Sequence, residues 1–527
     1  MLTAAASVGS LAACERLLGA GCIPAFKAAL AAAAAGGHLD VMRLLLEKME
    51  AAQQEASAHG DPHLETYKQP AACKAAAKAG QLPALRFLLE STDGAPQSKA
   101  IGYAAAGACE GGQLAILHWL QQAHGYSPTL EDAIFAAAGG QAAVLEQLLP
   151  ALLPADGSRP RPSGDAWEVL QEIAYACPVA VLQRHFGRLC RAAGGPEYLR
   201  GNESLLLEAV VGSPTPCWAA KLDFLLSSSA LGPDVGARVL VQMRFELYGK
   251  ASRHGLPRLQ HLRALVERVG GVGDVPPADG QSEVKTALAA AQMAAAHGHA
   301  DALAYLWDEC GVPMQLQPHQ LLQWPPVAAG PVGYAAARLA VVRLLQERGA
   351  LFGPADVRQA AFTGLSEEIV LALIDMVLPA AAGGSSPDGG GGDAAAAAAA
   401  TTAAESTLDR TRLESRDDWA AAFSHAARGG AGVRVLQALR ERGAPLNLSA
   451  VVVGCSDEVL EWAVEQLEAE EGRVQVGEDL VAEFYRHGNF AALRWLYERG
   501  RLEGDAVRWL AGRVELGGIW GCRVTAA

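Results

Sequence analysis

Few residues in this chain combine the type and spacing that chemistry requires. His297 and His299, two residues apart, offer a pair of imidazoles. A metal centre needs three or four converging ligands, and His299 belongs to a Gly-His pattern that recurs along the chain, so both read as structural. His59 and His63 have the i, i+4 spacing of one helix face, but Gly60 and Pro62 between them break a helix, which leaves a solvated loop. Gly389 to Gly392 lacks the Gly-Lys-Ser/Thr of a phosphate loop, and Gly249-Lys250-Ala251-Ser252 has alanine directly after its lysine. No Gly-x-Ser-x-Gly elbow, His-Glu-x-x-His or protease-like cysteine motif occurs. The acidic run from Glu465 to Glu471 reads as a solvated helix face rather than as paired catalytic carboxylates. The sequence therefore assigns no catalytic, cofactor-binding or metal-ligating residue, expects no cofactor, and reads as a non-enzyme.

Composition points the same way. At 527 residues the chain exceeds the size of one compact core, so it must be several domains or an elongated array. Apolar residues make up 51% but aromatics only 6%, because Ala and Gly carry much of the count; this suits closely packed helices. A net charge of −14 disfavours non-specific nucleic-acid binding, which needs a basic footprint. The ten cysteines form no C-x-x-C pair and sit mostly in Ala/Leu-rich stretches, which points to a reducing intracellular compartment, cytoplasmic or nuclear. The N-terminus lacks the basic region and leucine-rich core of a signal peptide. The longest uncharged stretch, Cys310 to Ala337, carries Pro313, Pro318, Pro325, Pro326 and Pro331, so no transmembrane segment is expected.

Internal repetition is the strongest signal. Ala33 to Glu47 reads A-A-A-G-G-H-L-D-V-M-R-L-L-L-E, Ala76 to Glu90 reads A-A-K-A-G-Q-L-P-A-L-R-F-L-L-E, and Ala294 to Trp307 reads A-A-A-H-G-H-A-D-A-L-A-Y-L-W. The motif recurs at Gly9-Ser10-Leu11, Gly112-Gln113-Leu114, Gly140-Gln141-Ala142 and Gly488-Asn489-Phe490, and several copies close at Gly349-Ala350, Gly443-Ala444 and Gly500-Arg501. An Ala-rich first helix permits close approach of a neighbour. The glycine after it suits a left-handed cap, and a second helix presents Val41, Leu44 and Leu45 at helical spacing. One such pair cannot bury its apolar face, so copies must stack. Successive marker glycines lie 28, 43, 32 and 28 residues apart from Gly9 to Gly140, with the variation assigned to loop insertions.

On these residues the chain resembles the ankyrin repeat family. Ala33 to Glu47 is similar to the central half of an ankyrin repeat, A-A-x-x-G-H-x-x-V-V-x-x-L-L-L-E, and Leu339 to Ala350 to its later half. The family's T-P-L-H opening is intact nowhere, so irregular hairpins are expected. The resemblance implies an all-α fold: an α-solenoid of stacked helix-loop-helix ankyrin-type repeats, about a dozen of them. Residues 1–378 are read as one array with loop insertions near 51–70, 154–165 and 270–284. Residues 379–410 are read as a low-complexity Gly/Ala linker, with the alanine run Ala394 to Ala400 able to form a short helix, and residues 411–527 as further repeats. From 167 to 270 the helical periodicity persists while the glycine marker is lost. Residue 4 is already inside a repeat, so an upstream segment or a partner is expected at that end.

The function the resemblance implies is a scaffold or adaptor that binds protein partners along the concave face, with a distributed site. Alternatives are a substrate adaptor of a ubiquitin ligase and, by overall family similarity, a sphingomyelin-phosphodiesterase-related protein. Of the ten tryptophans, Trp119, Trp307 and Trp495 fall on the second-helix stripe and are expected in the core. Trp167, Trp218, Trp324 and Trp520 are less constrained and could line a surface.

Overall fold

In a computed structural model, the chain is described over residues 1–19, 26–58, 70–91, 96–153, 164–199, 201–227, 233–270, 280–314, 318, 334–363, 365–377, 416–454, 456–472, 475–486 and 490–514. The fold is all-α. Among the described residues β pairing is limited to one parallel bridge between Val476 and Leu502. No described helix is long and apolar enough to cross a membrane.

The chain forms two compact units, one of residues 1–247 and 264–277, the other of residues 248–263 and 278–527. In the first unit, helices follow in pairs: α1 (Leu2–Ser7) and α2 (Leu11–Gly19), α3 (Phe26–Gly36) and α4 (Leu39–Ala58), α5 (Pro70–Lys78) and α6 (Leu82–Glu90), α7 (Pro96–Glu110) and α8 (Leu114–His124). They continue with α9 (Leu130–Ala138) and α10 (Ala142–Leu152), α11 (Gly164–Ala176) and α12 (Val179–Ala193). After the short α13 (Gly195–Leu199) come α14 (Glu203–Val211), α15 (Trp218–Ser227) and α16 (Pro233–Gln242). Each helix packs against its pair-mate. Each first helix also packs on the next first helix, in the unbroken series α1, α3, α5, α7, α9, α11, α14.

Helices α17 (Arg244–Ser252) and α18 (Leu256–Gly270) have residues in both units. In the second unit α19 (Gly280–Ala296) pairs with α20 (Ala300–Asp308), and α21 (Tyr334–Glu347) packs on both. Then follow α22 (Pro354–Phe362) with α23 (Glu367–Met376), α24 (Arg416–Arg428) with α25 (Val433–Glu441), and α26 (Leu448–Gly454) with α27 (Asp457–Glu471). Last come α28 (Glu478–Arg486) with α29 (Phe490–Glu498), and α30 (Gly504–Val514), which packs on α28. The segment 379–410 lies outside the described residues, but the helices flanking it are direct neighbours: α22 packs on α24 and α23 on α25. The low-complexity stretch is thus inserted between two consecutive pairs that stack as the others do.

The glycine marker does two jobs. Gly37 adopts φ +74°, and its N–H bonds to Ala34 O at 3.2 Å while the His38 N–H reaches back to Ala33 O at 3.0 Å. This is the Schellman arrangement, which ties off the last carbonyls of a helix. Gly80, Gly112, Gly140 and Gly298 repeat it. The second job is steric. A Cβ on Gly37 would stand 2.6 Å from Gln81 Oε1, because the residue after each marker folds back against the preceding turn. We predict that Gly37→Val, strained in both respects, costs on the order of 1–2 kcal/mol and unfolds the first pairs locally. Hydrogen exchange that stays unchanged around residues 25–50 would refute this.

The residue following the marker also links pairs. His38 Nε2 meets Ser7 O at 3.1 Å, Gln141 Nε2 donates to Glu110 O at 3.2 Å, and His299 Nε2 meets Arg253 O at 3.1 Å. Each acceptor is a carbonyl at or just past the C-terminal end of an earlier helix, a group that would otherwise lack an intrahelical donor. Where the marker is lost, other donors serve. Cys177 Sγ donates to Ala137 O at 3.6 Å, and the fully buried Lys221 donates from Nζ to Ala174 O at 2.8 Å, to Tyr175 O at 3.3 Å and to Ser213 Oγ at 3.0 Å.

Several expectations are corrected in detail. Residues 51–58 are not loop: α4 runs on to Ala58 because Ala51 to Ala58 is rich in good helix formers. Likewise α19 begins at Gly280, inside the loop expected over 270–284. The second-helix stripe is Val41, Met42, Leu45 and Leu46, all buried, while Leu44 is only half-buried. In place of the missing Thr-Pro-Leu-His opening, two first helices, α9 and α22, carry an acid three residues beyond the cap. The Thr129 N–H donates to Asp132 Oδ2 at 2.8 Å and the Gly353 N–H to Asp356 Oδ2 at 2.9 Å.

Candidate protein-binding face

Stacking of first helices buries one side of each and leaves a stripe of the opposite side uncovered. In α5 the buried residues are Ala72, Cys73, Ala76 and Ala77; in α7 they are Ala100, Ala104, Ala105, Ala106, Ala108 and Cys109, with Gly107. Numbered back from the marker, the exposed or half-exposed positions are those about nine, six or five, and two residues before it, except that Ala106 and Gly107 of α7 are buried. They hold Lys74 and Lys78 in α5, Tyr103 and Glu110 in α7, Glu131 and Phe135 in α9. In α11, with Cys177 in the marker's place, they hold Glu168, Glu172 and Tyr175. This i, i+3/i+4, i+7 spacing is one face of a helix, so the stripes align along the series. Tyr103 and Tyr175 are each 42% exposed, a large fraction for aromatic side chains on packed helices.

The stripes are drawn close together by small residues. A Cβ on Gly107 or Gly111 would collide with the backbone carbonyls of Lys74 or Lys78, and one on Gly139 with that of Glu110. Side chains from different helices therefore meet on the surface. Glu110 accepts from Lys78 at 2.6 Å and pairs with Lys74 at 3.0 Å, and the same Lys74 ammonium stands 4.5 Å from the Phe135 ring centre. Burial opposes ionisation of Glu110, but the two lysines outweigh it and hold its carboxyl below the usual value. In α11 the balance is reversed: burial first, then the like charge of Glu168, holds the Glu172 carboxyl above its ordinary value.

The other chemical candidates do not converge. His297 Nδ1 lies 2.9 Å from Met293 O and His299 is engaged as described, so both are structural. Among the described residues no group of three or more His, Cys, Asp or Glu could hold a metal ion. His59, His63 and the glycine run Gly389 to Gly392 lie outside the described residues. Gly249 is inside helix α17, against Ala290, and Ser252 Oγ donates to Gly249 O at 2.9 Å, which leaves no phosphate-cradling loop. The acidic helix α27 is more than a solvated face: Glu461 pairs with Arg499 at 2.6 Å, Glu468 with Arg501 and Glu470 with Arg440, joining α27 to its neighbours.

Trp307 is buried as expected, but Trp119 and Trp495 are half-buried beneath guanidinium groups, Arg86 at 5.3 Å and Arg499 at 4.5 Å. Trp167 does not line a surface; it is 5% exposed and meets Tyr198 edge-on at 5.7 Å. Trp218 is half-buried, and Trp324 and Trp520 lie outside the described residues. The stripe residues escaped the sequence reading because their exposure depends on helix stacking. Counting back from each marker glycine was the signal that could have found them.

Three buried or part-buried histidines carry a pH consequence. His185 is held below its usual pKa by burial, then by Arg188 and Arg184, against the opposing pull of Glu146; His297 by burial, then by Arg253, His299 and Arg338; His425 by burial, then by Arg428 and Arg358. A depressed folded-state pKa means that the unfolded chain takes up protons first as pH falls. Stability is therefore predicted to be level above about pH 6.5 and to drop as pH falls below it. A urea midpoint that rises between pH 7.5 and 5.5 would contradict this.

In comparison with known proteins, the sequence matches no family model and none of the curated proteins.

Proposed function

We propose that this chain is an ankyrin-type α-solenoid whose role is to bind protein partners along the exposed stripe of its first helices. The observation that carries the reading is the alignment of accessible charged and aromatic side chains, Lys78, Tyr103, Phe135 and Tyr175, on successive stacked helices. Aromatic side chains on a rigid support are favoured binding anchors, since little conformational freedom is lost when they are covered. Ankyrin resemblance rests on the Gly-His/Gln marker, its Schellman geometry and the second-helix Val/Leu pattern.

The test is affinity purification with the full chain and with Tyr103→Ser/Tyr175→Ser, whose helicity is checked by circular dichroism. Partners retained saturably by the native chain and lost by the variant support the reading. Equal recovery by both moves the binding site elsewhere. Sphingomyelin hydrolysis above a vector control would replace the reading with an enzymatic one.

A further inference from the structure

Charge along the first-helix series changes sign once. The helices before Gly112 carry Lys27, Lys74, Lys78 and Lys99 against Glu110 as their one acid. Those after it, α9, α11 and α14, carry no lysine or arginine at all, and their accessible acids are Glu131, Asp165, Glu168, Glu172 and Glu208. Among the described residues Glu131, Glu168 and Glu172 form no ion pair. The turns that join first to second helices in this region, Ala79-Gly80-Gln81, Gly111-Gly112-Gln113 and Gly139-Gly140-Gln141, add no charge. Second helices differ: Arg184 in α12 pairs with Glu146 in α10, so both signs are mixed there. Segregation is thus a property of the exposed stripe and not of the chain, whose overall charge is −14.

Resting on the binding role proposed above, we infer that the stripe from α3 to α14 takes an extended protein segment of bipolar charge, its acidic end over α3 to α7 and its basic end over α9 to α14. Like-charge juxtaposition excludes the reversed orientation, so the charge order sets direction as well as partner class. Tyr103 and Tyr175 stand one in each half and can seat apolar side chains between the charged ends. With helices about 9 Å apart, the span from α5 to α11 is about 27 Å, the length of roughly eight extended residues. The acid-only end alone would fit any basic peptide. The lysine end is what demands the second sign.

The experiment measures fluorescence anisotropy of labelled synthetic peptides with the full chain at about 50 mM salt, where screening is weak. One 16-residue peptide carries four Glu at one end, a Gly/Ser/Leu centre and four Lys at the other; a second has the same composition with Glu and Lys alternating. The segregated peptide should bind about tenfold tighter, and Glu168→Lys/Glu172→Lys or Lys78→Glu should each remove that advantage with unchanged helicity. Equal affinity for both peptides, still lost in Tyr103→Ser/Tyr175→Ser, overturns the charge rule and leaves the binding face in place. Binding unaffected by every variant, or no binding by either peptide, overturns both readings.

Discussion

Gly107→Ala is expected to destabilise the chain by about 2 kcal/mol, although alanine is the better helix former by about 1 kcal/mol. Gly107 lies inside α7, where a Cβ would collide with the backbone carbonyl of Lys74 in α5. A carbonyl within a packed helix cannot swing aside as the end of a side chain can, so the two helices must separate. The control lies five residues earlier in the same helix: a Cβ on Gly102 meets nothing within 4 Å. Gly102→Ala should therefore show the propensity gain alone, a stabilisation of roughly 0.5–1 kcal/mol. Urea unfolding of the two variants compares the effects directly. If both substitutions stabilise, the close approach of α5 and α7 is wrong, and with it the alignment of Lys74 with Glu110 and Phe135.

Lys221→Met is expected to cost about 3 kcal/mol, even though it makes the helix pattern more regular. Lys221 occupies the register position held by Val41, Ile116 and Val144 in other pairs, so pattern alone favours an apolar residue there. Its side chain is fully buried, and its ammonium serves the carbonyls of Ala174 and Tyr175 at the end of α11. That end carries the negative pole of the helix, which favours a cation. Methionine keeps the stem and removes three donors at once, leaving the Ala174 carbonyl without its partner in a dry site. Thermal unfolding followed at α11 and α15 by hydrogen exchange would show the loss where the two meet. A variant as stable as the native chain would mean that water or another donor replaces the amine.

The marker glycines and Lys221 mark where sequence reading succeeds and where it stops. Gly37, Gly80, Gly112, Gly140 and Gly298 were legible because a left-handed φ and a helix end are local demands, and glycine answers both. The second-helix stripe was legible because a 3.6-residue period is also local. Lys221 was not, since the marker it compensates for is missing from α11, and its acceptors lie 46 and 47 residues earlier in the chain. Asp132 and Asp356 cap the starts of α9 and α22 through backbone N–H groups three residues earlier, a local bond that the search for Thr-Pro-Leu-His passes over.

By itself, then, the sequence determined an all-α chain of glycine-punctuated helix pairs, because periodicity and capping are written within single segments. Tertiary structure decided the rest. It set α24 against α22 across the insertion at 379–410, and it divided the compact units between 247 and 278. It covered Trp167 and left Tyr103 and Tyr175 open. It also turned scattered lysines and glutamates into one face with a single change of sign. Each of these depends on which side of a helix its neighbours cover, and that is settled by contacts between residues about thirty or more positions apart.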